Sequence, residues 1–393
     1  MTTAAEIVSV ATAAGVRKSG RSEQSDRFYR PELDVLRFFA FLGVFIFHAA
    51  PRTMDFYNAA GYPHWLSSLL IPAFGAGAYG VDLFFALSAY LITSLLLRER
   101  AATGALDLRG FYLRRILRIW PLYLAFVAFA AVFAALVPEQ HLPMRYVVVY
   151  SLLAGNWIYV FYGLPASFAT PLWTVSIEEQ FYLAWPLALR KASIRTMAII
   201  AIGILMVANA LRVWLAISAA PVERIEYNTF TRLDPIAFGI LIALFGHKLP
   251  FFSRPQRAML LSGGVVTWIA VYAFTVTSPT LKFTTWKMAV GHPFTALASA
   301  AVLLSVLGAQ HPFLRNGALL YLGKISYGLY VLHEFAHFCA IRLVHASTPS
   351  MVLAQSIVGL ALTIVLAAAS YRWLESPFLR LKERFAHVQS RPV

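Results

Sequence analysis

"FFAFLGVFIFHAAP", residues 38–51, sets an imidazole, His48, near the end of a run of phenylalanines, with Arg37 immediately before the run. A stretch this apolar reads as a membrane helix. The rest of the chain agrees. Of 393 residues, 59% are hydrophobic and only 13% are charged, where a soluble chain carries about 25% charged residues. The mean hydropathy is +0.66. Several runs reach the roughly 20 residues needed to cross a bilayer. The fold class is therefore an all-α polytopic membrane protein.

Hydropathy places spans near 36–51, 76–97, 116–137, 173–190, 196–217, 233–247, 258–277, 292–309, 318–341 and 351–371, about ten transmembrane helices. An eleventh candidate, "YVVVYSLLAGNWIYVFYG" (146–163), is broken by Gly155-Asn156. Charge settles the parity. With ten spans and 146–163 kept outside as a re-entrant or interfacial element, 25 of the 33 lysines and arginines fall in the inner segments. Letting 146–163 cross would swap every later loop and collapse that positive-inside bias. Both termini are then cytosolic. Residues 1–30 read as a disordered cytosolic tail without a signal peptide, 31–376 as the membrane domain and 377–393 as a second cytosolic tail.

The net charge of +15 is accounted for by cytoplasmic loops facing the lipid bilayer, and no nucleic-acid partner is implied. The single cysteine, Cys339, excludes an internal disulfide framework and a cysteine-based metal site.

Ionisable side chains inside a span cost a few kcal/mol or more and usually face a cavity or a partner. Arg37 and His48 are eleven residues apart, nearly three whole turns, so they share one helix face at heights separated by roughly 16 Å. Asp82, in "GAYGVDLFFALSAYLIT", and Glu178, in "PLWTVSIEEQFYLAWP", come to comparable heights in the outer half when counted back from Arg98 and Arg190. His48, Asp82 and Glu178 thus form a candidate catalytic layer. Either carboxylate could orient the imidazole as a general base for a hydroxyl. Glu179 points about 100° away, toward a helix–helix or interfacial contact.

The inner face carries "RGFYLRRILRIWPLY". Arg114 and Arg118 share a helix face at i, i+4, and with Arg37 they make a basic mouth suited to phosphates. There is no P-loop and no GxGxxG, so neither ATP nor a dinucleotide is implied. Phosphate-binding charge inside and a histidine–carboxylate layer outside fit a donor with a polar phosphate head and a long reactive arm, such as an acyl-CoA.

These motifs resemble those of the acyltransferase family 3 membrane proteins. The resemblance covers about residues 29–380. It is carried by "YRPELDVLRFFAFLGVFIFH", "GVDLFFALSAYLIT", "FYLRRILRIWPLY", "LWTVSIEEQFYLAWP", "TRLDPIAFGILIA", "LGKISYGLYVLH" and "YRWLESPF", in the family's order. The resemblance implies a ten-span bundle that moves an acyl group from acyl-CoA to an extracytoplasmic carbohydrate or small molecule. It implies His48 as the catalytic histidine with Arg37 as its paired arginine, Arg114 and Arg118 at the donor, and Glu178 as a functional acid. Asp82, Arg232 and Asp234 fall on recurrent polar positions. Some members carry an appended SGNH-type esterase-like domain, which this sequence does not show.

Arg232 and Asp234 open a span on the outer side, where they are candidates for the acceptor entrance or for an interfacial salt bridge. "HEFAH" (333–337) spells the zinc-protease pattern His-Glu-x-x-His without an evident third ligand, so no metal and no bound cofactor are expected. Trp65, Trp157 and Trp173 read as interfacial belt residues. The expected protein is a multi-pass O-acyltransferase of a bacterial inner membrane. Its rival is a transporter or flippase of a glycan or lipid intermediate, whose intramembrane charges would line a path.

Overall fold

The computed structural model describes residues 29–277, 282–346 and 348–385. Of the expected tails, 1–30 and 377–393, residues 1–28 and 386–393 lie outside the described residues. The described chain is helical apart from a two-residue antiparallel hairpin, β1 (Val276–Thr277) and β2 (Lys282–Phe283).

Helix α1, Pro31–Ala49, contains the phenylalanine run. Pro31 stands in its first turn with Glu32 and Asp34, and His48 in its last. This order suits the fixed φ of proline and the helix dipole. Short α2 (Met54–Ala59) leads to α3 (His64–Gly75), which continues through a 3₁₀ turn into α4 (Gly80–Thr103). Gly104, at φ 77°, ends α4 in the left-handed region, and Asp107 caps α5 (Leu108–Leu136) by accepting from Gly110 N at 2.9 Å.

Two glycine contacts lock α1 in place. A Cβ on Gly77 would stand 2.1 Å from the Gly43 carbonyl oxygen, and one on Gly323 would stand 2.0 Å from that of Asp34. Backbone therefore meets backbone on two sides of α1. Small residues drive such contacts in lipid, where apolar surface alone gives helices no reason to associate.

The stretch 146–163 is not one crossing helix. It forms α6 (Met144–Ser151) and α7 (Gly155–Tyr162), broken where Leu153 takes φ 56°. Each has eight residues, about 12 Å of rise, against a hydrocarbon core of about 30 Å. α7 lies beside α8 (Leu172–Leu189), and α6 packs against α5 and α7.

The chain continues through α9 (Ile194–Ile217), short α10 (Glu223–Glu226), α11 (Asp234–Phe245), α12 (Arg254–Thr275), α13 (Thr285–Val306), α14 (Gly317–Lys324), α15 (Ser326–Leu343) and α16 (Pro349–Ser370). A π-helical turn, Tyr371–Glu375, joins α16 to α17 (Ser376–Glu383). Residues 376–383, assigned mostly to the C-terminal tail, are thus a helix packed on α5.

Among the described residues, six helical stretches are long and apolar enough to cross a membrane: His64–Thr103, Leu108–Leu136, Ile194–Ile217, Arg254–Thr275, Thr285–Val306 and Pro349–Glu383. The α3–α4 window is 72% buried within the protein, and that of Pro349–Glu383 only 17%. One belongs to the bundle interior and the other presents its apolar surface outward. The other four expected spans correspond to α1, α8, α11 and the broken pair α14–α15, which are shorter or more polar.

Candidate active site

His48 ends α1 against α15. Its Nδ1 lies 2.5 Å from Glu334 Oε1, and its ring centroid is 5.2 Å from that of His333. His333 is fully buried, and its Nδ1 lies 2.6 Å from the Tyr330 carbonyl oxygen. A carbonyl only accepts, so Nδ1 carries the proton and Nε2 presents a lone pair. The His48 and Glu334 side chains are 31% and 22% exposed, so this cluster is open on one side. Neither carboxylate expected at His48 is its partner. Height along a helix was readable from residue counts, but the direction each side chain takes around its own helix relative to α1 was not. Glu334 occupies the place assigned to Asp82 or Glu178.

One turn back along α15 is a cavity. Arg37, Arg115, Arg118, Ser88, Glu178, Tyr182, Ser326, Tyr327 and Tyr330 line it with apolar side chains of α4, α5 and α8. Ser326 is the first residue of the eighteen-residue helix α15, and a helix N-terminus favours an anion. Glu178 Oε1 accepts from the Ser88 hydroxyl at 2.6 Å. Arg37 and Arg118 are therefore together, as the basic-mouth reading expected. Arg114 points elsewhere. Its Nη2 donates to Glu99 Oε2 at 2.8 Å, and Nη1 donates to the Phe385 carbonyl. Glu99 Oε1 also accepts from Asp107 N at 3.0 Å. Arg114 thus ties the α4–α5 turn to the end of α17. Arg115, its neighbour, turns into the cavity and lies 5.5 Å from the Tyr182 ring.

Asp82 belongs to a third group. It accepts from Arg232 Nη2 and from Thr295 Oγ1, each at 2.8 Å. Arg232 also hydrogen-bonds His292 and stands 3.8 Å from Glu226, whose other oxygen is 3.3 Å from His292 Nε2. Trp173, read as a belt residue, packs 5.8 Å from this guanidinium. Asp234 pairs with Arg212 at 2.5 Å, and Arg212 Nη1 donates to the Thr231 carbonyl. Glu179 accepts from Trp120 Nε1 at 3.0 Å, a contact between α8 and α5 that follows the direction read from the helix.

Sequence reasoning missed Glu334 and Arg115 as site residues and Arg212 altogether. For Arg212 a signal existed: a charge inside the apolar run "VANALRVWLAI" demands a partner. For Glu334 the zinc-protease spelling drew attention to His333 and His337 as a pair. In the fold, however, His337 packs on Phe45 at 6.3 Å between ring centroids, and Glu334 turns to His48.

These features define a polytopic helical membrane protein with a half-buried basic cavity and a histidine–carboxylate site aligned along α1 and α15. Residues 30–372 match the acyltransferase family 3 model, described as an acyltransferase domain, and the chain belongs to that family. It is 29% identical over 377 residues to the O-acetyltransferase OatA of Staphylococcus aureus, covering 89% of this chain and 57% of the relative. It is 26% identical over 391 residues to the peptidoglycan O-acetyltransferase OatA of Listeria monocytogenes, covering 91% of this chain and 57% of the relative. The chain thus spans little more than half the length of these relatives. No solved structure matches it.

Proposed function

We propose that this chain is an inner-membrane O-acyltransferase. It moves an acyl group, acetyl first among candidates, from cytosolic acyl-CoA to a hydroxyl of an extracytoplasmic glycan or small molecule. The observation that carries the reading is the alignment of the two sites. Tyr330 lines the arginine cavity, and its own carbonyl binds His333 beside His48. The topology that goes with it has ten spans and cytosolic termini, so that Arg37 opens to the cytosol and His48 to the far side.

Arg37, Arg115 and Arg118, with the N-terminus of α15, hold the donor's phosphates. Glu178, fixed by Ser88, shapes the wall along which the thioester arm passes. The acceptor hydroxyl gives its proton to His48 Nε2 as its oxygen attacks the thioester carbonyl. A C–O bond forms, the C–S bond breaks, and the thiolate takes the proton back from the imidazolium. Glu334, against Nδ1, stabilises that imidazolium and fixes its orientation. Asp82, Arg232 and Asp234 hold the shape of the acceptor side without touching the hydroxyl, and Arg114 braces the donor mouth from outside it.

The similarity to relatives named for peptidoglycan O-acetylation supports a glycan acceptor. The test is thiol release from acetyl-CoA by the purified chain in liposomes, with and without a soluble glycan acceptor. Acceptor-dependent thiol release is the expected result. Passage of a glycan or lipid intermediate without thiol release would sink the reading in favour of a transporter.

A further inference from the structure

The His48 cluster has a second chemical reading that general-base catalysis does not use. His48, His333 and Glu334 each bring one ligand atom to within 4.8 Å of the others. Two imidazoles and a carboxylate are a donor set that zinc-class ions take, with three protein ligands and one open position.

The second observation is the state of His333. Its Nδ1–H is held by the Tyr330 carbonyl, the outer-shell contact that presents Nε2 as a metal ligand. That Nε2 is fully buried and has no hydrogen-bond partner. It lies 3.8 Å from Glu334 Oε1, so two lone-pair-bearing atoms face each other inside the protein. Glu334 Oε1 likewise accepts no aligned hydrogen bond, although His48 Nδ1 is 2.5 Å away. A buried polar atom left unpaired, as His333 Nε2 is, is costly, and a cation placed among the three atoms satisfies it while keeping the other two engaged. Ligand atoms of a tetrahedral zinc stand roughly 3.3 Å apart, given metal–ligand lengths near 2.0–2.1 Å. Two of the three separations, 2.5 and 3.8 Å, lie on either side of that spacing, and all three atoms lie within 4.8 Å of one another. The partial exposure of His48 and Glu334 supplies the open side.

We propose that His48 Nδ1, His333 Nε2 and Glu334 Oε1 form a binding site for a zinc-class divalent cation. This is not the zinc-protease use of "HEFAH": His337 is outside the ligand set, and the glutamate is a ligand. A consequence rests on the base reading of His48. Coordination through Nδ1 leaves the imidazole proton on Nε2, so the loaded site has no base to offer a hydroxyl. The cation inhibits acyl transfer.

The experiment titrates Co²⁺ into the full chain in nanodiscs after stripping metals with a chelator. One equivalent is expected to produce visible ligand-field absorption, displaced by Zn²⁺. His333→Ala is expected to weaken binding at least hundredfold and Glu334→Gln at least tenfold, with gel-filtration profiles unchanged. Absence of the band in the unaltered chain, or a band insensitive to both substitutions, overturns the site. A parallel arm measures thiol release. Inhibition by Zn²⁺ and recovery on chelation are expected. If the stripped protein transfers acyl groups and binds no Co²⁺, the cation site falls and the base reading stands. If transfer requires the cation, the site stands and the base reading falls.

Discussion

Around His48, two histidines and a glutamate converge with His333 Nε2 left without a hydrogen-bond partner and the His48–Glu334 pair open on one side. Around Arg232, histidine, carboxylates and guanidinium are folded onto one another, with Arg232 and Asp82 almost fully buried. The residue types are nearly the same. The difference lies in whether charges are spent on each other. A closed set of ion pairs holds helices in register, and removing one partner leaves a buried charge with no counterion. An open set keeps capacity for a substrate proton or a ligand. The sequence places Asp82 and His48 in a single layer; the fold assigns one to each kind of cluster.

Six substitutions break or sharpen this contrast. The largest effect is expected at His48. His48→Ala lowers thiol release from acetyl-CoA at least a thousandfold, near the top of the range for a general base, with membrane insertion and melting unchanged. Turnover close to that of the unaltered protein would erase the functional half of the comparison. Next comes Arg212→Met, which strands Asp234 and costs about 3–5 kcal/mol of stability, read as a lowered melting temperature in detergent. Adding Asp234→Leu recovers most of that loss, and the folded fraction keeps its kcat. A lost kcat with unchanged melting would place the closed clusters in the chemistry.

Glu334→Gln, third in size, removes the charge facing the imidazolium but keeps the shape. It lowers kcat by about ten- to a hundredfold, within the range assigned to a partner of a catalytic base, and leaves the KM for acetyl-CoA in place. The smallest effect is at the other end of α15. Arg118→Gln raises the KM for acetyl-CoA about tenfold, the loss of one charge-assisted contact of about 1.4 kcal/mol. Arg114→Gln, the same chemical change four residues earlier, leaves KM alone and lowers the melting temperature. Equal KM shifts for the two would contradict the different partners the fold gives them.

What was legible in the sequence follows from what helical geometry can transmit. The length and composition of the apolar runs carried the helical membrane class, and 146–163 does split into two short helices, although at Leu153 and not at Gly155-Asn156, which open the second of them. The eleven-residue spacing put Arg37 and His48 on one face of α1, and the fold places them toward the two sites. The partners were not legible, because they depend on the rotation of one helix against another. Arg114 and Arg115 differ by 100° around α5, and only packing against α4 and α17 decides which one enters the cavity. Glu334 and Asp82 present the same difficulty. The polar sites draw on strongly apolar and on shorter helices alike: α5 carries Arg115 and Arg118, and α1, α8 and α15 carry Arg37, Glu178 and Glu334, whereas the Pro349–Glu383 stretch carries none of the residues placed at either site.

The glycine contacts at Gly77 and Gly323 give α1 a further property. A rod pinned by backbone on two sides cannot slide, so the interval of roughly 16 Å between Arg37 and His48 acts as a fixed gauge. Under the proposed transfer, a donor is measured against it: one whose arm is too short is held by its phosphates and does not reach the imidazole.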